Sequence, residues 1–160
     1  MSQPASQILE TRMVDISEKS PTFRVARARG EIQMRAETLD AVMQGEIPKG
    51  DVVTIAQIAG IQGAKQCAQL IPLCHPLLLN GVDVSIQPLP ERSALVVEAT
   101  VKITGKTGVE MEALCAVNAA LLTLYDMCKG IDPAMEINGV HLVEKTGGRH
   151  GHYQRQEEAE

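Results

Sequence analysis

Apolar residues along this chain recur with two periods, and the changes of period mark its elements. Residues 22–34 alternate roughly, with Arg24, Arg27 and Arg29 set among Val25, Ala26 and Ala28, then Ile32 and Met34. A two-residue period is the pattern of a strand with one buried face, here weakened by Gly30. Residues 36–44 carry Leu39, Val42 and Met43 at helical spacing, and Gly45 and Pro48 stop that short helix. From 51 to 70, Val52, Ile55, Ala56, Ala59 and Gly63 return every three or four residues, with Asp51 placed as the N-cap. Residues 82–87 and 95–103 alternate cleanly and read as a hairpin turned at 88–92. A long helix is expected over 109–129, stopped by Gly130 and Pro133, and a last strand over 135–143. Setting the small helix aside, the order is β-α-β-β-α-β. This is an α+β chain with the ferredoxin-like pattern, an antiparallel sheet with both helices on one face. Residues 1–12 read as a flexible lead-in, 13–150 as one domain and 151–160 as a mobile tail.

Composition narrows the classes. The chain has 160 residues and a net charge of −5, with 44% hydrophobic residues. A domain of that length buries roughly 68–70% of its unfolded surface. Its aromatics are two Tyr and one Phe, with no Trp, so the core must be aliphatic. Net negative charge and so few stacking platforms argue against nucleic acid as a partner. No uninterrupted apolar run reaches the roughly 18 residues of a membrane span. The first residues lack a signal-peptide pattern. The expected setting is therefore cytoplasmic, with Cys67, Cys74, Cys115 and Cys128 as thiols rather than disulfides.

Candidate chemistry is scattered. Residues 102–108 follow a strand and precede a helix, but Thr100 stands where a phosphate loop needs its first glycine. What survives is a glycine turn with Lys106, able to meet an anion or simply to turn the chain. Gly60 and Gly63 lie inside a helix and read as close-packing positions. Asp126 and Lys129 sit one turn apart on the long helix, either as a structural ion pair or as a functional one. Glu110 and Glu112 open the same helix, where acids suit the dipole. Glu112 and Asp126 are about 21 Å apart at helical rise. One small ligand in one chain cannot touch both, so either one serves the site or the site is shared between subunits. His75, between Cys74 and Pro76, is a ligand or an exposed loop residue. Lys49, just before a helix N-terminus, meets an anion or stays solvated. His150 and His152 fold over a site or hang free. No cysteine or histidine spacing here is that of a metal site.

Seven segments carry a family pattern: 13–17 (MVDIS), 49–52 (KGDV), 58–65 (IAGIQGAK), 70–77 (LIPLCHPL), 105–114 (GKTGVEMEAL), 125–129 (YDMCK) and 145–148 (KTGG). Over about residues 13 to 150 the chain closely resembles the cyclic pyranopterin monophosphate synthases of molybdenum cofactor biosynthesis. The resemblance implies a lyase that takes 3′,8-cyclo-7,8-dihydro-GTP from an upstream radical-SAM GTP 3′,8-cyclase. The product is cyclic pyranopterin monophosphate, with pyrophosphate released. It implies a homohexamer, a trimer of dimers, with sites at subunit interfaces and no membrane partner. By matching position, Asp126 resembles the catalytic aspartate, and Lys129 and Lys49 the essential lysines. Leu73, Cys74, His75, Met111 and Glu112 match substrate-contacting positions, with Lys65, Arg24 and Lys145 as further anion contacts. No resident cofactor or metal is implied, and Mg²⁺ with the triphosphate stays open. The lysines, in a partly desolvated interface, are expected to show depressed pKa values and serve as acid or base.

Two other classes compete. A nucleotide sensor on the same fold needs anion and base contacts but no titratable pair on its helix. A structural assembly subunit needs neither. An RNA-binding split βαβ domain is set aside, because the hairpin strands carry no aromatic residue.

Overall fold

The computed structural model describes residues 10–156, so most of the expected lead-in and the last four residues lie outside the described part. The elements run β1 (Thr22–Gln33), α1 (Ala36–Met43), α2 (Val52–Lys65), α3 (Cys67–Leu70), β2 (Gly81–Leu89), β3 (Ala94–Gly105), α4 (Glu110–Cys128), β4 (Glu136–Thr146) and β5 (Tyr153–Gln154). The sheet order is β2-β3-β1-β4-β5 and every pairing is antiparallel. This is the ferredoxin-like arrangement expected from the pattern, with one short edge strand added.

β1 is the middle of the sheet, and its alternation decides the two faces. Ala26, Ala28 and Ile32 are buried toward the helices, beside Leu95, Val97, Ala99, Val101 and Ile103 of β3. Arg27 points the other way, 3.0 Å from Glu98 and 3.3 Å from Glu144. Gly30 does more than weaken the strand. A Cβ there would meet Val140, Leu121 and Val117 at 2.8 to 3.0 Å, so its absence lets α4 settle on the sheet.

α4 is the core helix. Ala113, Ala116, Val117, Ala120, Leu121 and Leu124 are all fully buried in one aliphatic cluster. By length and composition α4 is also apolar enough to cross a membrane, which the count of uninterrupted apolar residues does not reveal. Its apolar residues are spent instead on the sheet and on α2.

The helix expected over 51–70 is broken into α2 and α3. Gln66, at φ −103° and ψ 11°, takes the chain out of helical geometry for one residue. The N-cap is as expected, with Asp51 Oδ1 accepting from the Thr54 backbone N–H at 3.0 Å. α1 is capped from afar. Its own cap residue, Arg35, makes no side-chain cap, and buried Asp132 accepts from the Arg35 N–H at 2.9 Å and the Thr38 hydroxyl at 3.0 Å. Burial pushes the Asp132 carboxyl up, but these donors and the Arg35 guanidinium outweigh it and hold it below its ordinary value. Residues expected in the mobile tail include β5, which pairs Tyr153 with Lys145, while His152 Nε2 lies 2.8 Å from Glu144 Oε1.

Candidate functional site at the two ends of the long helix

The residues picked from the sequence gather at opposite ends of α4. At its C-terminal end, Asp126 stands between two lysines. Lys129, the C-cap residue, puts Nζ 2.8 Å from Asp126 Oδ1. Lys49 arrives from the turn before α2, with Nζ 3.3 Å from Oδ2 and donating to the Asp126 backbone carbonyl at 3.0 Å. Helical spacing presents Lys129 one turn after Asp126, while only the tertiary fold brings Lys49. The two cations hold the Asp126 carboxyl below its usual range, through hydrogen bonds from Lys129 and then Lys49.

Asp126 in turn raises the Lys129 ammonium above its ordinary value. The expected depression of a lysine pKa is therefore reversed at Lys129 within the single chain. The three side chains are 51–57% exposed, so pairing wins over desolvation. One carboxylate bridging two ammonium groups carries a net positive charge, which suits a phosphate or pyrophosphate.

The N-terminal end of α4 holds the second group. Glu112 is only 4% exposed and lines a small pocket of about 110 Å³ with Lys65, Cys67, Gln69, His75 and Leu77. Burial pushes its carboxyl above the ordinary value, opposed by a hydrogen bond from its own backbone N–H. That N–H is one of the unpaired donors of the first helical turn. Burial likewise pushes the Cys74 thiol up. Leu73 and Met111 are exposed apolar side chains near this end.

Three further cations surround the loop into α4. Arg24 donates from Nε to the Gly105 carbonyl at 3.2 Å and from Nη2 to that of Lys106 at 3.4 Å. Lys145 pairs with Glu110 at 3.0 Å, and Lys106 donates to the Ser17 carbonyl at 3.3 Å. Arg24 packs on Gly148, and a Cβ at Gly147 would lie 2.2 Å from the Phe23 carbonyl.

The fold thus brings Lys49 to Asp126 and Lys129, and Lys65 and His75 to Glu112. It does not bring the two groups together, because α4 separates them by about 21 Å. Sequence reasoning does not pick Gln69 and Leu77. Nor does it show that residues 13–19 are anchored here, with His75 Nε2 2.7 Å from the Val14 carbonyl. A backbone carbonyl leaves no residue-type signal. Among the described residues no three His, Cys, Asp or Glu side chains gather as a metal site.

A family model described as the MoaC family matches residues 13–148, spanning both ends of α4 and the anchored segment. The chain belongs to this family. A relative from Desulfitobacterium hafniense named cyclic pyranopterin monophosphate synthase is 53% identical over 91% of this chain and 89% of its own length. A protein of the same name from Pelotomaculum thermopropionicum is 52% identical over 93% of this chain and 88% of its own length. A Synechococcus elongatus relative named molybdenum cofactor biosynthesis bifunctional protein is 55% identical over 89% of this chain. The match covers 45% of that protein. The family match spans every candidate residue from Arg24 to Lys145.

Proposed function

We propose that this chain is a cyclic pyranopterin monophosphate synthase. It converts 3′,8-cyclo-7,8-dihydro-GTP, made by a radical-SAM GTP 3′,8-cyclase, into cyclic pyranopterin monophosphate and pyrophosphate, in the cytoplasm. The carrying observation is the convergence of Lys49 and Lys129 on Asp126, in a chain 53% identical to a relative of that name.

The overall change sets what the residues must do. Forming a cyclic monophosphate from a triphosphate requires a hydroxyl to attack the α-phosphorus and expel pyrophosphate. Lys49 and Lys129 neutralise the charge on the leaving group. Opening and reclosing the purine-derived ring requires protons to be taken and returned. With Asp126 ionised and Lys129 an ammonium, the cluster holds an acceptor and a donor 2.8 Å apart. Glu112 and His75 hold the purine-derived part, with Leu73, Cys74 and Met111 around it. Lys65, Arg24 and Lys145 supply further cations. No resident cofactor belongs to this reading, and any Mg²⁺ comes with the triphosphate.

The working site lies between subunits of a homohexamer on this reading. Two observations support that. A pocket of about 110 Å³ is well below the roughly 300 Å³ at which pockets engulf a drug-sized ligand. Ile55, Ile58 and Ile61 also form an exposed apolar stripe on α2, of the kind that marks an assembly surface.

The test is to incubate the purified protein with enzymatically made 3′,8-cyclo-7,8-dihydro-GTP. Pyrophosphate and oxidised-pterin fluorescence are followed together. Both should appear in equal amounts. Lys129→Ala and Asp126→Ala should each lower the rate by about 10²–10⁴-fold, the usual contribution of acid–base catalysis. Binding without either product would favour a sensor and discard the synthase reading. Full turnover by folded Lys129→Ala would remove Lys129 from the mechanism.

A further inference from the structure

Two thiols outside the Lys49–Asp126–Lys129 cluster lie close together. The Sγ atoms of Cys115 on α4 and Cys67 at the start of α3 are 3.5 Å apart, although the residues are 48 apart in sequence. The close approach of α2 to α4 produces this. A Cβ on Gly63 would lie 2.6 Å from the Ala119 Cβ and 2.9 Å from the Cys115 carbonyl, so only glycine allows the contact. One turn later Cys67 meets Cys115. All four cysteines are free thiols.

We infer that Cys67 and Cys115 form an oxidisable dithiol, which a peroxide converts into a reversible disulfide at the wall of the pocket lined by Lys65, His75 and Glu112. A disulfide needs an S–S distance of about 2.05 Å, so the sulfurs must close by about 1.5 Å. The bond would join the four-residue α3 to α4. α3 is short and already set off from α2 by the break at Gln66, so it can follow.

The two thiols divide the chemistry by exposure. Cys115 is partly exposed and Cys67 fully buried, so the oxidant reaches Cys115 first. The Cys115 thiolate attacks one peroxide oxygen and the O–O bond breaks. Hydroxide leaves, takes up a proton and becomes water, and Cys115 is left as a sulfenic acid. The Cys67 sulfur then attacks the Cys115 sulfur. The S–S bond forms, the S–O bond breaks, and the hydroxyl departs as water with the Cys67 proton. Two thiols have lost two electrons and two protons, and hydrogen peroxide has become two waters. Burial pushes the Cys67 thiol far above its ordinary value, with Cys115, the Glu112 carboxyl and the neighbouring Cys74 thiol adding to the effect. Closure is therefore slow at neutral pH and speeds up as pH rises.

The proposal stands apart from the synthase reading, because its readout is covalent. Full-length protein is treated with hydrogen peroxide, remaining thiols are blocked with iodoacetamide, and peptides are mapped by mass spectrometry. Cys67 and Cys74 share a tryptic peptide, as do Cys115 and Cys128, so variants make the assignment. The linked pair should form in the native protein and vanish on reduction with dithiothreitol. It should persist in Cys74→Ser and in Cys128→Ser and be absent from Cys115→Ser. The inference falls if no linked pair forms, if the pair survives in Cys115→Ser, or if Cys74→Ser abolishes it.

Discussion

Glu112 is a carboxylic acid in a place that favours its neutral form. Its side chain is 4% exposed at the first turn of the core helix, and burial raises its pKa above the ordinary 4.5. A raised folded value means its contribution is fully present below the unfolded value and is lost as pH rises through the folded one. Glu112→Gln removes that dependence. Its melting temperature should therefore gain on the native protein as pH rises from about 4 to 8, in paired calorimetric scans. A constant difference across that range would show that Glu112 stays solvated. Asp126 is the opposite case. Lys129 and Lys49 hold its carboxyl ionised to lower pH than usual, so Asp126 keeps its charge through the neutral range. The residue types at both sites were legible in the sequence. The direction of each pKa was not, because direction depends on burial and on the partner supplied by the fold.

The contact between α2 and α4 shows what small residues do for an element. Gly60 and Gly63 looked like packing positions, and a Cβ at either would meet α4 backbone or side chains at 2.6 to 3.1 Å. Alanine suits a helix better than glycine by about 1 kcal/mol. Overpacking a close contact costs about 1–3 kcal/mol. At Gly63 the second effect should win, because the obstacle includes the Cys115 carbonyl rather than a flexible side chain tip. Gly63→Ala should lower stability by about 1 kcal/mol or more in urea titration. A gain in stability would show that the helices can part at no cost. Helical period revealed α2 and α4, and alternation revealed β1 to β3. The break at Gln66 was not legible, since nothing in QGAKQCAQL breaks helical spacing. The Asp132 cap of α1 was equally hidden, because cap and helix are nearly a hundred residues apart.

At the scale of the molecule, the two ends of α4 carry two groups of polar side chains about 21 Å apart. On the proposed reading, one copy supplies Glu112 and His75 and another supplies Lys49, Asp126 and Lys129. Two inactive variants should then rescue each other. Glu112→Gln and Lys129→Ala, unfolded together and refolded as a mixture, should regain pyrophosphate release at about a quarter of the sites on random assembly. Each variant refolded alone should regain none. A mixture as inactive as its parts would place both groups in sites within one chain.

The sequence by itself determined the order of elements, the α+β class and the chemically capable residue types. Local spacing controls which backbone forms and which face is apolar, and spacing is written in the chain. Tertiary structure decided the rest. It brought Lys49 to Asp126, Asp132 to the start of α1 and Cys67 to Cys115. It gave Glu112 its burial and left Asp126 in the open. Each of these depends on segments distant in sequence meeting at a few ångströms. Only the packing of α2 and α4 on one sheet sets those distances.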